Sequence, residues 1–183
     1  LNADSTEFES NISGVGGGIH LGDSESMAIV SNSSFIQNEG FNGGGIFASG
    51  GSSLNVQKGF FINNISAVAG AVYLNSAQEG IFDQCTFVNH TISSDDDTDA
   101  SAMHVSGNGA IITNSIFWDN QGYDLKVGGG GTTNISHTNI QDGESGIYVH
   151  DGGTLNWEGS NLDFDPMFCD PENGDYSLFI NSL

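Results

Sequence analysis

Residues 34–64, SFIQNEGFNGGGIFASGGSSLNVQKGFFINN, open on Phe35-x-x-Asn38 and close on Phe61-x-x-Asn64, so one structural unit begins again before the stretch ends. Between the two copies lie GGGI ending at Ile46 and LNVQKGFF running into Phe61. The same unit recurs in both directions. Phe-x-x-Asn stands at Phe8/Asn11 and Phe117/Asn120, with Phe87/His90 as a variant, and the successive Phe residues are 27, 26, 26 and 30 residues apart. The long last interval holds the acidic insertion SSDDDTD at 93–99. Eleven residues after each of the first three Phe an apolar residue follows small ones: Ile19, Ile46 and Val72, with Met103 in that slot after the insertion. AIVSNSSF, LNVQKGFF, GIFDQCTF and AIITNSIF supply a third segment per unit.

A period near 26 residues with apolar alternation of two and Gly or Asn every few residues is a β pattern, and fixed self-similarity marks a solenoid. The sequence therefore predicts an all-β fold, a right-handed parallel β-helix of about six coils with three short strands per coil. It forms one domain over 1–183, with 161–183 as the C-terminal coil and capping segment. Phe8, Phe35, Phe61, Phe87 and Phe117 are expected to form an inward aromatic column. Asn11, Asn38, Asn64 and Asn120 are expected at a turn, for two reasons: Asn tolerates left-handed backbone, and its amide bonds to the equivalent Asn one coil away. Cys85 aligns with Ser33, Gly59 and Ser115 at a small inward position and reads as structural. Beyond His90 the intervals shorten; Leu125 to Val127 and Ile147 to Val149 continue the middle strand, and Ile140 takes the Phe position.

Composition narrows the partners. The formal net charge is −21, from 23 acidic residues against Lys58 and Lys126, with no Arg. Phosphate recognition depends on clustered Lys and Arg, so nucleic acid is excluded as a partner, and no segment is apolar enough for membrane insertion. At 37% hydrophobic the chain is too apolar for a disordered acidic tail. Two cysteines, Cys85 and Cys169, make neither a disulfide framework nor a metal cluster. Sequons begin at Asn11, Asn32, Asn64, Asn89 and Asn134 and matter only in a eukaryotic secretory pathway.

The pairing of GGGI or AGAV with Phe-x-x-Asn resembles the repeats of polymorphic outer-membrane proteins and of many bacterial β-helix surface proteins. The tail DPMF at 165–168 followed by DPENGDY at 170–176 looks like the segment that ends the helix in such secreted proteins. The resemblance implies an extracellular or cell-surface location and a structural or adhesive role, as part of a longer protein.

Chemistry has few candidates. No pair of His shows metal-ligand spacing, and a uronate lyase would need the Arg this chain lacks. Paired carboxylates from adjacent coils would serve an inverting hydrolase, with Asp83, Asp119 and Asp124 available, yet no hydrolase motif accompanies them. No catalytic residue is assigned. Asp95, Asp96, Asp97 and Asp99 have the oxygen chemistry calcium prefers but not the EF-hand spacing, and no other cofactor is indicated. If Ile19 and Leu21 point inward, His20 points out and begins a ladder through Phe47, Tyr73, His104, Lys126 and Tyr148. Such a ladder stacks on sugars or on another protein, or its members pack on one another. The expectation is a non-catalytic structural or adhesive module whose partners are other surface proteins, like subunits or polysaccharide. A carbohydrate-binding or carbohydrate-active β-helix is the alternative.

Overall fold

The computed structural model describes residues 1–94 and 99–179. Each coil contributes a strand to a first sheet, turns, contributes a strand to a second and crosses to a fourth, and the first four coils add a two-residue pairing in a third on the way. The first sheet runs Asn2–Asp4, Met27–Ser31, Ser53–Gln57, Gly80–Asp83, Gly109–Thr113, Thr132–Ser136 and Thr154–Trp157. The second runs Glu7–Glu9, Ser34–Ile36, Phe60–Ile62, Thr86–Val88, Ile116–Trp118 and Asn139–Ile140. The third, Ile12–Ser13, Glu39–Gly40, Ile65–Ser66 and Thr91–Ile92, is confined among the described residues to the first four coils. The fourth holds Ile19–Leu21, Ile46–Ser49, Val72–Asn75, Ala100–Ser106, Tyr123–Gly128 and Ile147–Val149. All four sheets pair in parallel, so the chain is a parallel β-solenoid of about six coils.

In-register stacking places like residues on like. Phe8, Phe35, Phe61, Phe87 and Phe117 stack face to face, with centroids 4.7, 4.7, 4.6 and 4.4 Å apart, and Ile140 pairs with Phe117 as the column continues. Ala28, Val30, Leu54, Val56, Phe82 and Ile112 from the first sheet, and Ile46, Val72, Leu74, Met103, Leu125 and Val127 from the fourth, complete one continuous core. Cys85 is buried, donates its backbone N–H to Ser115 Oγ, and carries a thiol pushed up to about 12 by burial.

The corners are made by non-glycine residues with left-handed backbone, in two columns. Ser5, Asn32, Lys58, Gln84, Asn114 and His137 join the first sheet to the second. Ser10, Gln37, Asn63, Asn89, Asp119 and Asp142 end the second. Such conformations are uncommon outside Gly and persist where surrounding bonds fix them. Here each corner N–H donates to the next coil, as in Asn32 to Gln57 O and Gln37 to Ile62 O. The two columns are always five residues apart. This corrects one expectation: the left-handed residue is the one before each ladder Asn, not Asn11, Asn38, Asn64 or Asn120 itself. Glycine is required at a different place, where coils touch: a Cβ on Gly17 or Gly44 would lie 2.2 Å from the carbonyl oxygen of Gly44 or Gly70 in the next coil.

At the C-terminal end, Leu162 bridges to Asn139, and Asn139 and Phe164 exchange bonds between side chain and backbone, extending the second sheet. The chain then leaves the axis. Phe168–Asp170 and Asp175–Leu178 form an antiparallel hairpin, and the Tyr176 hydroxyl accepts from Asn89 Nδ2 in the fourth coil. The hairpin therefore lies along the side of the solenoid rather than across its end. In that coil Thr86 and Val88 are buried, while their neighbour Phe60, one coil earlier, is 40% exposed.

Phe61→Ala removes a fully buried ring with partners on both faces and is expected to cost about 3–5 kcal/mol of unfolding free energy in denaturant titration. Phe8→Ala, at the half-open end of the same column, is expected to cost distinctly less.

Candidate functional site

Two columns outside the core carry the polar and aromatic groups. The first lies on the outer face of the fourth sheet. Alternation along Ile19–Leu21 buries Ile19 and Leu21 and turns His20 outward. Register then places Phe47, Tyr73, His104, Lys126 and Tyr148 in one row. The rings use one another as partners: His20–Phe47 at 5.4 Å, Phe47–Tyr73 at 5.4 Å and Tyr73–His104 at 4.7 Å. Ring faces needed to hold a sugar are thus turned along the axis toward neighbouring rings, and Phe47, His104 and Lys126 are each buried. Lys126 Nζ lies 5.8 Å from the Tyr148 ring centre, a cation–π contact, and 2.8 Å from Asp99 Oδ1.

His150, absent from the predicted ladder, completes this cluster. It stacks on Tyr148, its ring centre is 6.0 Å from that of His104, and its Nδ1 meets Asp151 at 3.0 Å. The signal was available: two residues beyond Tyr148 on a strand is the same face. Both ring nitrogens of His104 are buried without a partner among the described residues. Burial, with the positive charge of Lys126 and then His150 beside it, lowers the His104 pKa to about 4, so the ring is neutral near pH 7.

The second column is the amide ladder. Asn11 donates through its backbone N–H and Nδ2 to Asn38 Oδ1, and Asn38 donates in the same way to Asn64 Oδ1. The second amide hydrogens of Asn38 and Asn64 satisfy the Phe8 and Phe35 carbonyls. His90 breaks the pattern: its Nδ1 accepts from the Asn64 N–H, but its Nε2 is buried with no partner among the described residues. Beyond it, Asn120 Oδ1 accepts from the His90 N–H, and Asn120 Nδ2 donates to Asp124 Oδ1. Burial depresses His90 to about 3 and raises Asp124 to about 7, the latter against the Asn120 bond and reinforced by Asp142 and Asp119.

The three carboxylates considered for hydrolysis separate. Asp83 sits at the corner between the first and second sheets. Bonds from Asn114, Thr113 and Gln84 hold it below the ordinary carboxylate range. Asp119 sits at the corner that ends the second sheet, and Asp124 lies in the fourth-sheet strand Tyr123–Gly128. Asp119 borders a polar notch of about 380 Å³ with His90, Asn120, Gln121 and Gln141, whereas Asp124 is buried behind Asn120. Of the acidic insertion, Asp99 is paired with Lys126, and Asp95, Asp96 and Asp97 lie outside the described residues. Among the described residues no three His, Cys, Asp or Glu side chains converge on a metal position, and no helix is long and apolar enough to cross a membrane. No known family, curated protein or solved structure matches the chain.

These environments set a pH dependence of stability. The unfolded chain protonates His90 below its ordinary value of 6.5, while the folded chain resists until about 3. The His90 contribution is therefore complete above pH 6.5 and is lost as pH falls toward 3. His90→Asn restores the amide repeat and removes the orphaned nitrogen. It is expected to stabilise by about 1 kcal/mol at neutral pH and by more at pH 5, in urea titrations at both values. Asp124 acts in the opposite direction: it keeps its proton in the folded chain up to about 7 against 3.8 when unfolded, so it weakens the fold as pH rises through that window. Asp124→Asn is expected to gain on the parent between pH 4 and 7 and to hold that gain above 7.

Proposed function

We propose that this chain is a non-catalytic structural or adhesive β-solenoid module of an extracellular or cell-surface protein or filament. The observation that carries the reading is that repeated polar and aromatic groups find their partners one coil away, as Asn38 does in Asn64 and Tyr73 does in His104. Groups bound to their own repeat serve rigidity rather than turnover. The GGGI and Phe-x-x-Asn repeats, similar to those of polymorphic outer-membrane proteins, support the same reading and the location. Only two Lys and no Arg leave trypsin-like proteases few sites, which suits an exposed module. Partners of this module are other surface proteins, like subunits or polysaccharide, and its charge of −21 disfavours nucleic acid.

A carbohydrate-active reading has one observation in its favour. Asp119, exposed at the rim of the notch, lies near Asp124, whose raised pKa keeps a proton available close to neutrality. An inverting hydrolase divides two carboxyls in this way, one acid and one base.

Incubation with a panel of acidic and neutral polysaccharides, with and without calcium, separates the readings by scoring retention and product release. Retention without product, or neither, is expected. Product release that disappears in Asp119→Asn would replace the structural reading with the enzymatic one.

A further inference from the structure

The chain has two lysines, and the structure buries one of them against a carboxylate. Lys126 Nζ is 2.8 Å from Asp99 Oδ1, with the two side chains only 9% and 13% exposed. Lys126 stands in register between His104 and Tyr148, with its nitrogen over the Tyr148 ring. Asp99 reaches the same cluster, since its charge acts on both Tyr73 and His104. A pair placed among rings loses its hydration, and the attraction of the charges offsets that loss poorly. The contact is also long-range, joining the segment before Ala100–Ser106 to the strand of the next coil, beside a register shift between Ala100 and Met103.

We propose that Lys126 and Asp99 condense within the folded chain into an intramolecular isopeptide bond, an amide between the lysine side-chain nitrogen and the aspartate carboxyl carbon. The pair begins as ammonium and carboxylate. Moving one proton directly to the carboxylate across this contact leaves a neutral amine and a neutral acid. The nitrogen lone pair then attacks Cγ, forming the C–N bond and a tetrahedral centre with two hydroxyl groups. One proton passes from nitrogen to oxygen as that centre forms. As it collapses one C–O bond breaks, the departing hydroxyl takes the proton of the other hydroxyl and leaves as water, and the remaining oxygen becomes the amide carbonyl. No oxidant, metal or cofactor enters the balance.

Three features favour the step. Holding amine and acid in contact replaces an encounter between two groups by a reaction within one, which is worth many orders of magnitude in effective concentration. The product is uncharged, so it removes both charges from a site where they are poorly hydrated. His104, in register beside Lys126, is neutral near pH 7 and adds no charge that would hold the pair in its ionised form. The finished bond is a covalent strut between the fourth and fifth coils, where the repeat is interrupted by its insertion.

Intact mass measurement of the full chain under denaturing conditions tests this. The expected mass is lower than that of the sequence by one water molecule. Proteolytic mapping is expected to recover Asp99 and Lys126 in one branched peptide. Lys126→Arg keeps the charge but has no competent amine, and Asp99→Ala removes the electrophile. Both are expected to return to their full sequence mass, and Lys126→Arg to a lower unfolding midpoint than the parent. A parent chain with its full sequence mass overturns the proposal. So does a loss of water that persists in Lys126→Arg and maps to an aspartyl-glycine pair such as Asp142-Gly143 or Asp151-Gly152.

Discussion

Parallel stacking in register is the constraint from which the rest follows. When successive coils lie about 4.8 Å apart and pair residue for residue, every side chain meets the residue one repeat later. A side chain that cannot tolerate its own kind as a neighbour is then excluded at that position. Phe satisfies the rule by offering two equivalent faces, and Asn by carrying a donor and an acceptor on one amide. The Phe column from Phe8 to Phe117 and the amide ladder from Asn11 to Asn64 are two solutions to one geometric demand. A column of carboxylates or ammonium groups would fail it, and charge is accordingly placed where the repeat is broken or faces solvent.

The exceptions show what the rule costs. His90 occupies an Asn position and accepts from Asn64, yet its ring reaches the Phe61 carbonyl less well than an amide would, so one buried nitrogen is left without a well-formed bond. Asp124 ends the ladder, accepting from Asn120, and holds its proton chiefly because burial strips a carboxylate there of water, with Asp142 and Asp119 adding to the effect. These irregular members lie close to the insertion at 93–99 and to the point where the third sheet stops. Titration, the polar notch and the buried lysine ion pair gather in the fourth and fifth coils for that reason.

Much of this was legible from residues alone. Period, alternation and the row of Phe gave the solenoid, and the outward ladder from His20 to Tyr148 has the register that its spacing implied. The position of the left-handed corners was not legible, because Ser, Asn, Lys, Gln, Asp and His all occupy them. The conformation there is imposed by bonds from the neighbouring coil, and no local preference reports it. Nor did the sequence reveal that Asp99 would face Lys126. That pairing depends on how the insertion returns to the fourth sheet, which is a matter of three-dimensional path and not of spacing.

The two corner columns also govern how this chain can change length. From Ser5 to Ser10, Asn32 to Gln37, Lys58 to Asn63, Gln84 to Asn89, Asn114 to Asp119 and His137 to Asp142 the separation never varies. The remainder of the coil stretches and shrinks around it. A residue gained or lost inside the fixed segment would rotate every following side chain out of its column, whereas the path from the second sheet round to the first absorbs both the long fourth coil and the shorter fifth. Lineages of such a protein are thus free to diversify on one flank of the rod while the opposite edge remains a ruler, and loops grafted onto that tolerant flank would leave the stacking undisturbed.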